Sequence, residues 1–165
     1  KMTMQKQQYF IVYDVPNERA IDFVDGAENY FLATNDLKND QSKMRFHIMH
    51  YRWNRRVKKS TLIPDFFSKQ NYFRNGNYIQ FFDKNILLWD DSFKKPNNIS
   101  EMQFDFVIIS GKAKLDLEKM NCKLLIIDSS VSYYKIEQIK KECLRWDIPF
   151  YNVNMQGAYL LEINA

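Results

Sequence analysis

The stretch Asn121–Ala165, NCKLLIIDSSVSYYKIEQIKKECLRWDIPFYNVNMQGAYLLEINA, decides the fold class of this 165-residue chain. It begins with a short apolar run, Lys123–Asp128, which predicts a strand covered on both faces. Apolar residues then recur every three or four positions across Ser132–Trp146, which predicts a helix with one buried face. Phe150–Val153 and Ala158–Ile163 predict two more strands that return as a hairpin. We therefore expect a layered α/β protein with a C-terminal strand-helix-hairpin unit.

Capping signals mark both ends of this helix. Ser130 or Ser132 can accept a backbone N–H of the first turn, and Pro149 follows the last turn, where a helix cannot continue. Cys143 lies on the apolar face and is expected in the core. With Cys122 as the other cysteine, the chain has no disulfide framework from which to infer a redox compartment.

Upstream of this unit the sequence favours antiparallel strands. Three runs predict an N-terminal antiparallel meander: Tyr9–Tyr13, Ala20–Val24 and Glu28–Ala33. Asp25-Gly26 supplies the turn between the last two, and Lys43–Trp53 alternates as a fourth strand would, with Met44, Phe46 and Ile48 on one face. Later signals predict a hairpin of Tyr72–Arg74 and Asn77–Phe82 around Asn75-Gly76, strands at Ile86–Trp89 and Phe104–Ile109, and a helical turn at Leu115–Met120.

Positive charge is concentrated in one part of the chain. The formal net charge is only +4, but residues 41–64 contain no acidic side chain. Aromatic residues are interleaved with the cations there, which fits a surface that follows the phosphates of single-stranded DNA and stacks on its bases. The alternative is a solvated outer strand with its aromatic side chains in the core. The candidate DNA-binding residues are Lys43, Arg45, Arg52, Trp53, Arg55, Arg56, Lys58 and Lys59.

The chain offers few metal ligands. On a strand, His47 and His50 would lie on opposite faces, and only a helix would bring them together. Asp14, Asp36 and Asp128 lie at or near predicted strand ends, where a carboxylate can hold a divalent cation or make a cap or turn. We predict no metal site and no cofactor.

The length of the chain suits one domain covering residues 1–165. No run approaches the roughly 20 apolar residues that span a bilayer. Because the sequence starts at Lys1 without an initiator Met or a signal peptide, we expect a processed chain or a fragment of a larger protein.

Several strings, in their order and spacing, resemble the C-terminal soluble domain of ComEC-type competence proteins, particularly the form found in Bacteroidetes. The strings are Ile11–Pro16 (IVYDVP), Ala20–Val24 (AIDFV), Ile127–Ser130 (IDSS) and Gln156–Tyr159 (QGAY). The resemblance implies an αββα sandwich, similar to the metallo-β-lactamase fold but degenerate or truncated. It also implies a parent protein in the inner membrane that passes single-stranded DNA into the cell.

The resemblance also shows where this chain departs from a metal-dependent hydrolase. That fold holds metal with a His-x-His-x-Asp-His cluster after an early strand and a His-His-Gly-Ser segment later. Here the corresponding segments read Asn35–Lys38 and Ser110–Lys114, and a lysine ammonium has no lone pair to give a metal. The vestigial site positions are therefore Asp36, Ser110, Lys112 and Asp128.

The sequence thus leads to a non-catalytic domain of a DNA-uptake protein. Its expected partners are incoming single-stranded DNA, the membrane channel portion of the same polypeptide and other competence proteins, and its expected place is the periplasmic side of the inner membrane. Two alternatives stay open. One is a metal-dependent nuclease or hydrolase with a non-standard site that uses Asp36 and Asp128, and the other is a structural or partner-binding domain without a ligand.

Overall fold

Two β-sheets form the centre of the molecule. The computed structural model describes residues 6–163. Sheet I has five strands in the order β12-β1-β2-β3-β4, and sheet II has seven in the order β11-β10-β9-β8-β7-β6-β5. The strands are β1 (Gln8–Val12), β2 (Ala20–Asp25), β3 (Glu28–Ala33), β4 (Lys59–Leu62), β5 (Phe66–Lys69), β6 (Tyr72–Asn75), β7 (Tyr78–Phe81), β8 (Lys84–Trp89), β9 (Gln103–Ile109), β10 (Asn121–Ile127), β11 (Phe150–Asn152) and β12 (Tyr159–Glu162).

The helices are short except for one. Within residues 6–163 they include α1 (Asn35–Lys38), α2 (Gln41–Met44), α3 (His50–Asn54), α4 (Tyr133–Arg145) and α5 (Val153–Gln156), and a 3₁₀ turn lies at Ile99–Glu101. A π-helical segment, Arg45–Met49, connects α2 to α3. Residues 41–54 therefore form one helical stretch, called here the basic helical stretch.

The main apolar core lies between the two sheets and is rich in aromatic rings. The ring of Phe10 on β1 lies 5.1 Å from that of Phe106 on β9, centroid to centroid. Phe23 on β2 lies 5.2 Å from Phe81 on β7. These residues belong to one buried cluster that draws on both sheets. Each such pair contributes about 1 kcal/mol beyond the burial of its area, so these contacts help hold the two sheets face to face.

Helical segments cover the outer face of each sheet. On sheet II, Ile139 of α4 is buried in a cluster with Leu125 of β10. On sheet I, Ile48 of the basic helical stretch is buried in a cluster with Ile11 of β1. Fully burying each isoleucine contributes roughly 2 to 3 kcal/mol. The molecule is thus layered as helix, sheet, sheet and helix, which confirms the predicted α/β class.

The N-terminal meander and the long helix match their predictions. β1 pairs antiparallel with β2, and β2 with β3. Asp25 pairs with Glu28, so Gly26, with a φ of 68°, opens the two-residue turn. Of the two candidate caps for α4, Ser132 is the one used: its hydroxyl accepts the backbone N–H of Lys135 at 3.3 Å.

The strand predicted for Lys43–Trp53 is wrong, because this segment is helical. Asp40 caps it by accepting the backbone N–H of Lys43 at 3.0 Å. The alternation of Met44, Phe46 and Ile48 suits a strand, but the residues that pack on sheet I recur at the spacing of a helix. They are Met44, Ile48 and Tyr51. Phe46 consequently turns outward instead of into the core.

The predicted C-terminal hairpin is also wrong. β11 pairs in parallel with β10 in sheet II, whereas β12 pairs antiparallel with β1 in sheet I. Between them, the side chain of Asn152 accepts the backbone N–H of Asn154 at 3.2 Å and starts α5. Val153 is then buried in the core between the sheets. The chain crosses from one sheet to the other at this point and does not turn back on itself.

Two further differences from the predictions concern one loop and two edge strands. The helical turn predicted at Leu115–Met120 does not form, and this part of the chain is a loop. Lys119 has a φ of 62°, a left-handed conformation that does not continue a right-handed helix. The short outer strands β4 and β5 were not predicted.

A buried ion pair joins the basic helical stretch to sheet I. Arg52 donates through Nη2 to Asp22 Oδ1 at 2.7 Å and through Nε to Oδ2 at 2.9 Å. The Tyr13 hydroxyl donates to the same carboxylate at 2.6 Å, and the guanidinium lies 4.4 Å from the ring centroid of Phe31. Burial opposes the charge on Arg52, but the hydrogen bonds to Asp22 outweigh it and raise the pKa of Arg52. Arg52 therefore keeps its charge inside the protein.

We predict that Arg52→Met lowers the free energy of unfolding by about 3 to 5 kcal/mol, because it leaves the Asp22 carboxylate buried without a counter-charge. Arg45→Met, on the exposed side of the same stretch, should change it by less than about 1 kcal/mol. Urea unfolding of the two variants and of the Asp22→Asn, Arg52→Met double variant provides the measurement. The double variant should be more stable than Arg52→Met alone, and equal losses in the two single variants would contradict the role of the pair.

Candidate functional site

The structure separates the predicted DNA-binding residues into exposed and structural groups. Five of the eight are exposed: Arg45, Trp53, Arg56, Lys58 and Lys59. Lys43 is half-buried. Among residues 6–163, Arg45, Arg56 and Lys58 take part in no ion pair, whereas Lys59 lies 3.9 Å from a Glu28 carboxylate oxygen. Three of the seven predicted cations are thus exposed and without an ion-pair partner among the described residues.

Arg52 and Arg55 must be removed from the set of freely exposed cations. Arg52 is only 5% exposed and is bound to Asp22. The Arg55 guanidinium lies 4.9 Å from the ring centroid of Tyr9 and 3.5 Å from a carboxylate oxygen of Glu162. Sequence charge alone did not distinguish these residues, because their partners lie far away in the chain.

Exposed aromatic rings accompany the remaining cations. Phe46 is 81% exposed and Trp53 is 57% exposed, and both lie on the basic helical stretch. The His50 ring lies 6.1 Å from that of Trp53. Phe46 is one of the aromatic residues interleaved with the cations in the sequence, and its exposure places it in the site. We call the group Arg45, Phe46, Trp53, Arg56, Lys58 and Lys59 the aromatic-basic surface.

A cavity of about 600 Å³ lies where several strands of both sheets end. Three of the four predicted vestigial positions, Asp36, Ser110 and Lys112, line it together. The sequence analysis missed two of its charged lining residues, Arg19 and Asp90, which form an ion pair at 3.2 Å. We call this space the strand-end cavity.

Asp128, the fourth predicted position, lies fully buried behind Ser110. Its carboxylate accepts hydrogen bonds from the Ser110 hydroxyl, the Ser130 hydroxyl and, at 2.9 Å, the Ser130 backbone N–H. Burial raises the pKa of Asp128 to about 6, although these hydrogen bonds favour the charged form. Asp128 therefore connects the ends of β9 and β10.

The neighbouring Ser129 connects the two sheets at the same edge. Its hydroxyl donates to Asp14 Oδ1 at 2.5 Å, and its carbonyl accepts the backbone N–H of Asn17 at 3.1 Å. Asp14 and Asp128 thus act as hydrogen-bond acceptors in turns, which is the second of the two roles considered for them.

The described residues do not assemble a metal cluster. Within residues 6–163, no group of three or more His, Cys, Asp or Glu side chains could hold a metal ion. His47 and His50 lie on the basic helical stretch and not on opposite faces of a strand. Nor does any helix in this part of the chain have the length and apolar character needed to cross a membrane.

These features define a helix-flanked, two-sheet α/β domain with an aromatic-basic surface on one outer layer and a polar cavity at one edge. A family model described as the ComEC C-terminal domain matches residues 10–163, so the chain belongs to this family. Membership gives it the context of competence and DNA uptake. No curated protein and no solved structure matches the chain.

We predict that Asp128 makes stability depend on pH. Its pKa is about 6 in the folded protein and about 3.9 in the unfolded chain, so the folded state binds the proton more tightly. The resulting contribution, about 3 kcal/mol, should be fully present below pH 4 and be lost as the pH rises through 6. Urea unfolding from pH 4 to 7.5 should show this fall in the wild type and not in Asp128→Asn.

Asp36→Asn is the matched control, since this carboxylate faces the same cavity but is exposed. It should retain the wild-type dependence on pH. The assignment would be wrong if Asp128→Asn also retained it.

Proposed function

We propose that the chain is a non-catalytic domain of a DNA-uptake protein that contacts incoming single-stranded DNA through its aromatic-basic surface. The observation that carries the proposal is the exposure of Phe46 and Trp53 beside cations that lack an ion-pair partner. Aromatic faces stack on bases of any sequence, and cations follow the phosphates. The surface thus suits the binding of single-stranded DNA of any base sequence.

The layering supports the finer assignment to a degenerate metallo-β-lactamase-like sandwich. Two facing sheets with helices on both outer faces are what an αββα fold requires. The strand-end cavity takes the place of the active site in this proposal. Lys112 and the Arg19–Asp90 ion pair then occupy the space that metal and its ligands would need.

The proposed setting follows from family membership. We infer that residues 1–165 are one domain of a larger inner-membrane protein and that this domain faces the periplasm. Its partners there would be the channel portion of the same polypeptide and other competence proteins. The ComEC C-terminal domain match supports this setting.

One observation favours a second function, the binding of a protein partner. Phe66 on β5 is 74% exposed and Phe73 on β6 is 50% exposed, so sheet II presents apolar side chains near its outer edge. Isolated exposed rings are common, but neighbouring ones mark interaction sites more often. This function becomes the leading one if DNA does not bind.

We predict that the triple variant Arg45→Gln, Arg56→Gln, Lys58→Gln binds a labelled single-stranded oligonucleotide more weakly than the wild type. Fluorescence anisotropy at several salt concentrations should show wild-type affinity falling steeply with salt. If each cation neutralises one phosphate, the slope of log K against log salt should decrease in magnitude by about 2 in the variant.

A control with the same loss of charge is Lys94→Gln, Lys119→Gln, Lys141→Gln, which changes exposed lysines outside the basic helical stretch. It should bind like the wild type. Equal weakening in both triple variants would attribute binding to net charge alone. Absence of binding by the wild type at low salt would exclude DNA contact by the isolated domain.

The same oligonucleotide, incubated with the domain in Mg²⁺ or Mn²⁺, distinguishes a binding domain from the hydrolase alternative. We expect the DNA to stay intact, because Asp128 is enclosed by serine hydrogen bonds and Lys112 faces the cavity. Cleavage that Asp36→Ala or Asp128→Ala abolishes would overturn the non-catalytic assignment.

A further inference from the structure

A second polar cavity, of about 280 Å³, adjoins the strand-end cavity and shares Arg19 and Thr34 with it. Three cationic side chains from separate parts of the chain line it: Arg19 before β2, Lys38 on α1 and Arg74 on β6. Asp65 is its only carboxylate among the described residues. We call it the cationic cavity, since its lining has an excess of positive charge.

Arg74 is held in place without being effectively neutralised. Its guanidinium donates to the carbonyl of Gly76 at 2.9 Å and, at 3.4 Å each, to those of Ile63 and Pro64. Carbonyl oxygens orient the group but carry no net charge. The Asp65 carboxylate is 3.4 Å away, and its side chain is 78% exposed while that of Arg74 is 10% exposed. Water therefore screens Asp65, the one carboxylate among residues 6–163 that lies within ion-pair distance of this buried cation.

The direction of the Arg74 pKa shift agrees with a buried cation that is only partly neutralised. Burial lowers the pKa of Arg74, and the opposing effects of Tyr72 and Asp65 do not fully offset it. The Arg19 guanidinium adds a smaller contribution in the same direction as burial. Two guanidinium groups of like charge thus line one polar cavity, and an anion bound there would offset the charge of both.

Arg19 has donor capacity left for such an anion. One of its terminal nitrogens, Nη1, lies 3.2 Å from Asp90. Its Nε is buried and has no hydrogen-bond partner among the described residues. This N–H is closed to solvent, so an anion in the cavity would meet the terminal nitrogens of Arg19 first, and a shift of the side chain would be needed to satisfy Nε.

We propose that the cationic cavity binds a phosphate group, either free or at the end of a nucleic-acid strand. Guanidinium groups present paired N–H donors that match the oxygens of phosphate, and a lysine ammonium adds a point charge. The polar lining and the volume of the cavity suit a tetrahedral oxyanion with its waters better than an apolar ligand. This site is distinct from the aromatic-basic surface and does not depend on it.

Isothermal titration of the chain with inorganic phosphate tests the proposal. The wild type should bind in a saturable way, and Arg19→Gln should weaken binding about tenfold or more, as expected for a lost charged hydrogen bond. Lys38→Gln should also weaken it, and this exposed side chain can be changed without disturbing the fold. Lys58→Gln, outside the cavity, should bind like the wild type.

A second arm identifies the source of the phosphate. In the background of Arg45→Gln, Arg56→Gln, Lys58→Gln, oligonucleotides with a 5′-phosphate and a 5′-hydroxyl are compared. A preference for the 5′-phosphate that Arg19→Gln removes would assign the site to a strand end. Binding of inorganic phosphate without that preference would assign it to free phosphate.

The proposal is overturned if the wild type shows no saturable binding of either phosphate form. It is equally overturned if Lys38→Gln and Arg19→Gln, with unfolding transitions like the wild type, bind phosphate as the wild type does. Neither result would bear on DNA contact at the aromatic-basic surface, which the control variants test separately.

Discussion

The buried ion pair of Asp22 and Arg52 determines how the basic helical stretch lies on sheet I. A charge is stable inside a protein only when a close and well-oriented counter-charge meets it, so this pair admits little sliding or rotation of the helix. Because Arg52 faces inward, Phe46 and Trp53 face solvent. Arg52 itself is too deeply buried to bind a ligand, but its ion pair orients the exposed side chains of the same helical stretch.

Local signals predicted much of the fold because the elements concerned depend on neighbours in sequence. The meander has its turn at Gly26, and α4 has its own cap and apolar period. The basic helical stretch was predicted wrongly because Met44, Phe46 and Ile48 fit both a strand and part of a helix. The decision rests on Arg52 and its partner, Asp22, a residue of a distant strand that no local pattern reveals.

The candidate sites show the same division. Asp36, Ser110 and Lys112 follow strands, and the ends of neighbouring strands meet at one edge of a sandwich, so the fold brings these three residues to one cavity. Arg19 precedes a strand and was overlooked. It reaches the same edge because β2 runs antiparallel to β1, so that β2 begins where β1 ends. Residues at the start of a strand, such as Arg19, can therefore be assigned to a site only when it is known whether neighbouring strands run parallel or antiparallel.

The crossing of the C-terminal strand also bears on how the protein is made. β1 lies at the start of the described chain, and its outer backbone groups stay unpaired until β12, at the other end, has been synthesised. Until then the nascent sheet has an open edge that can recruit other chains. β12 therefore closes this edge of β1 only after the rest of the described chain has been translated, and it then becomes the edge strand of sheet I.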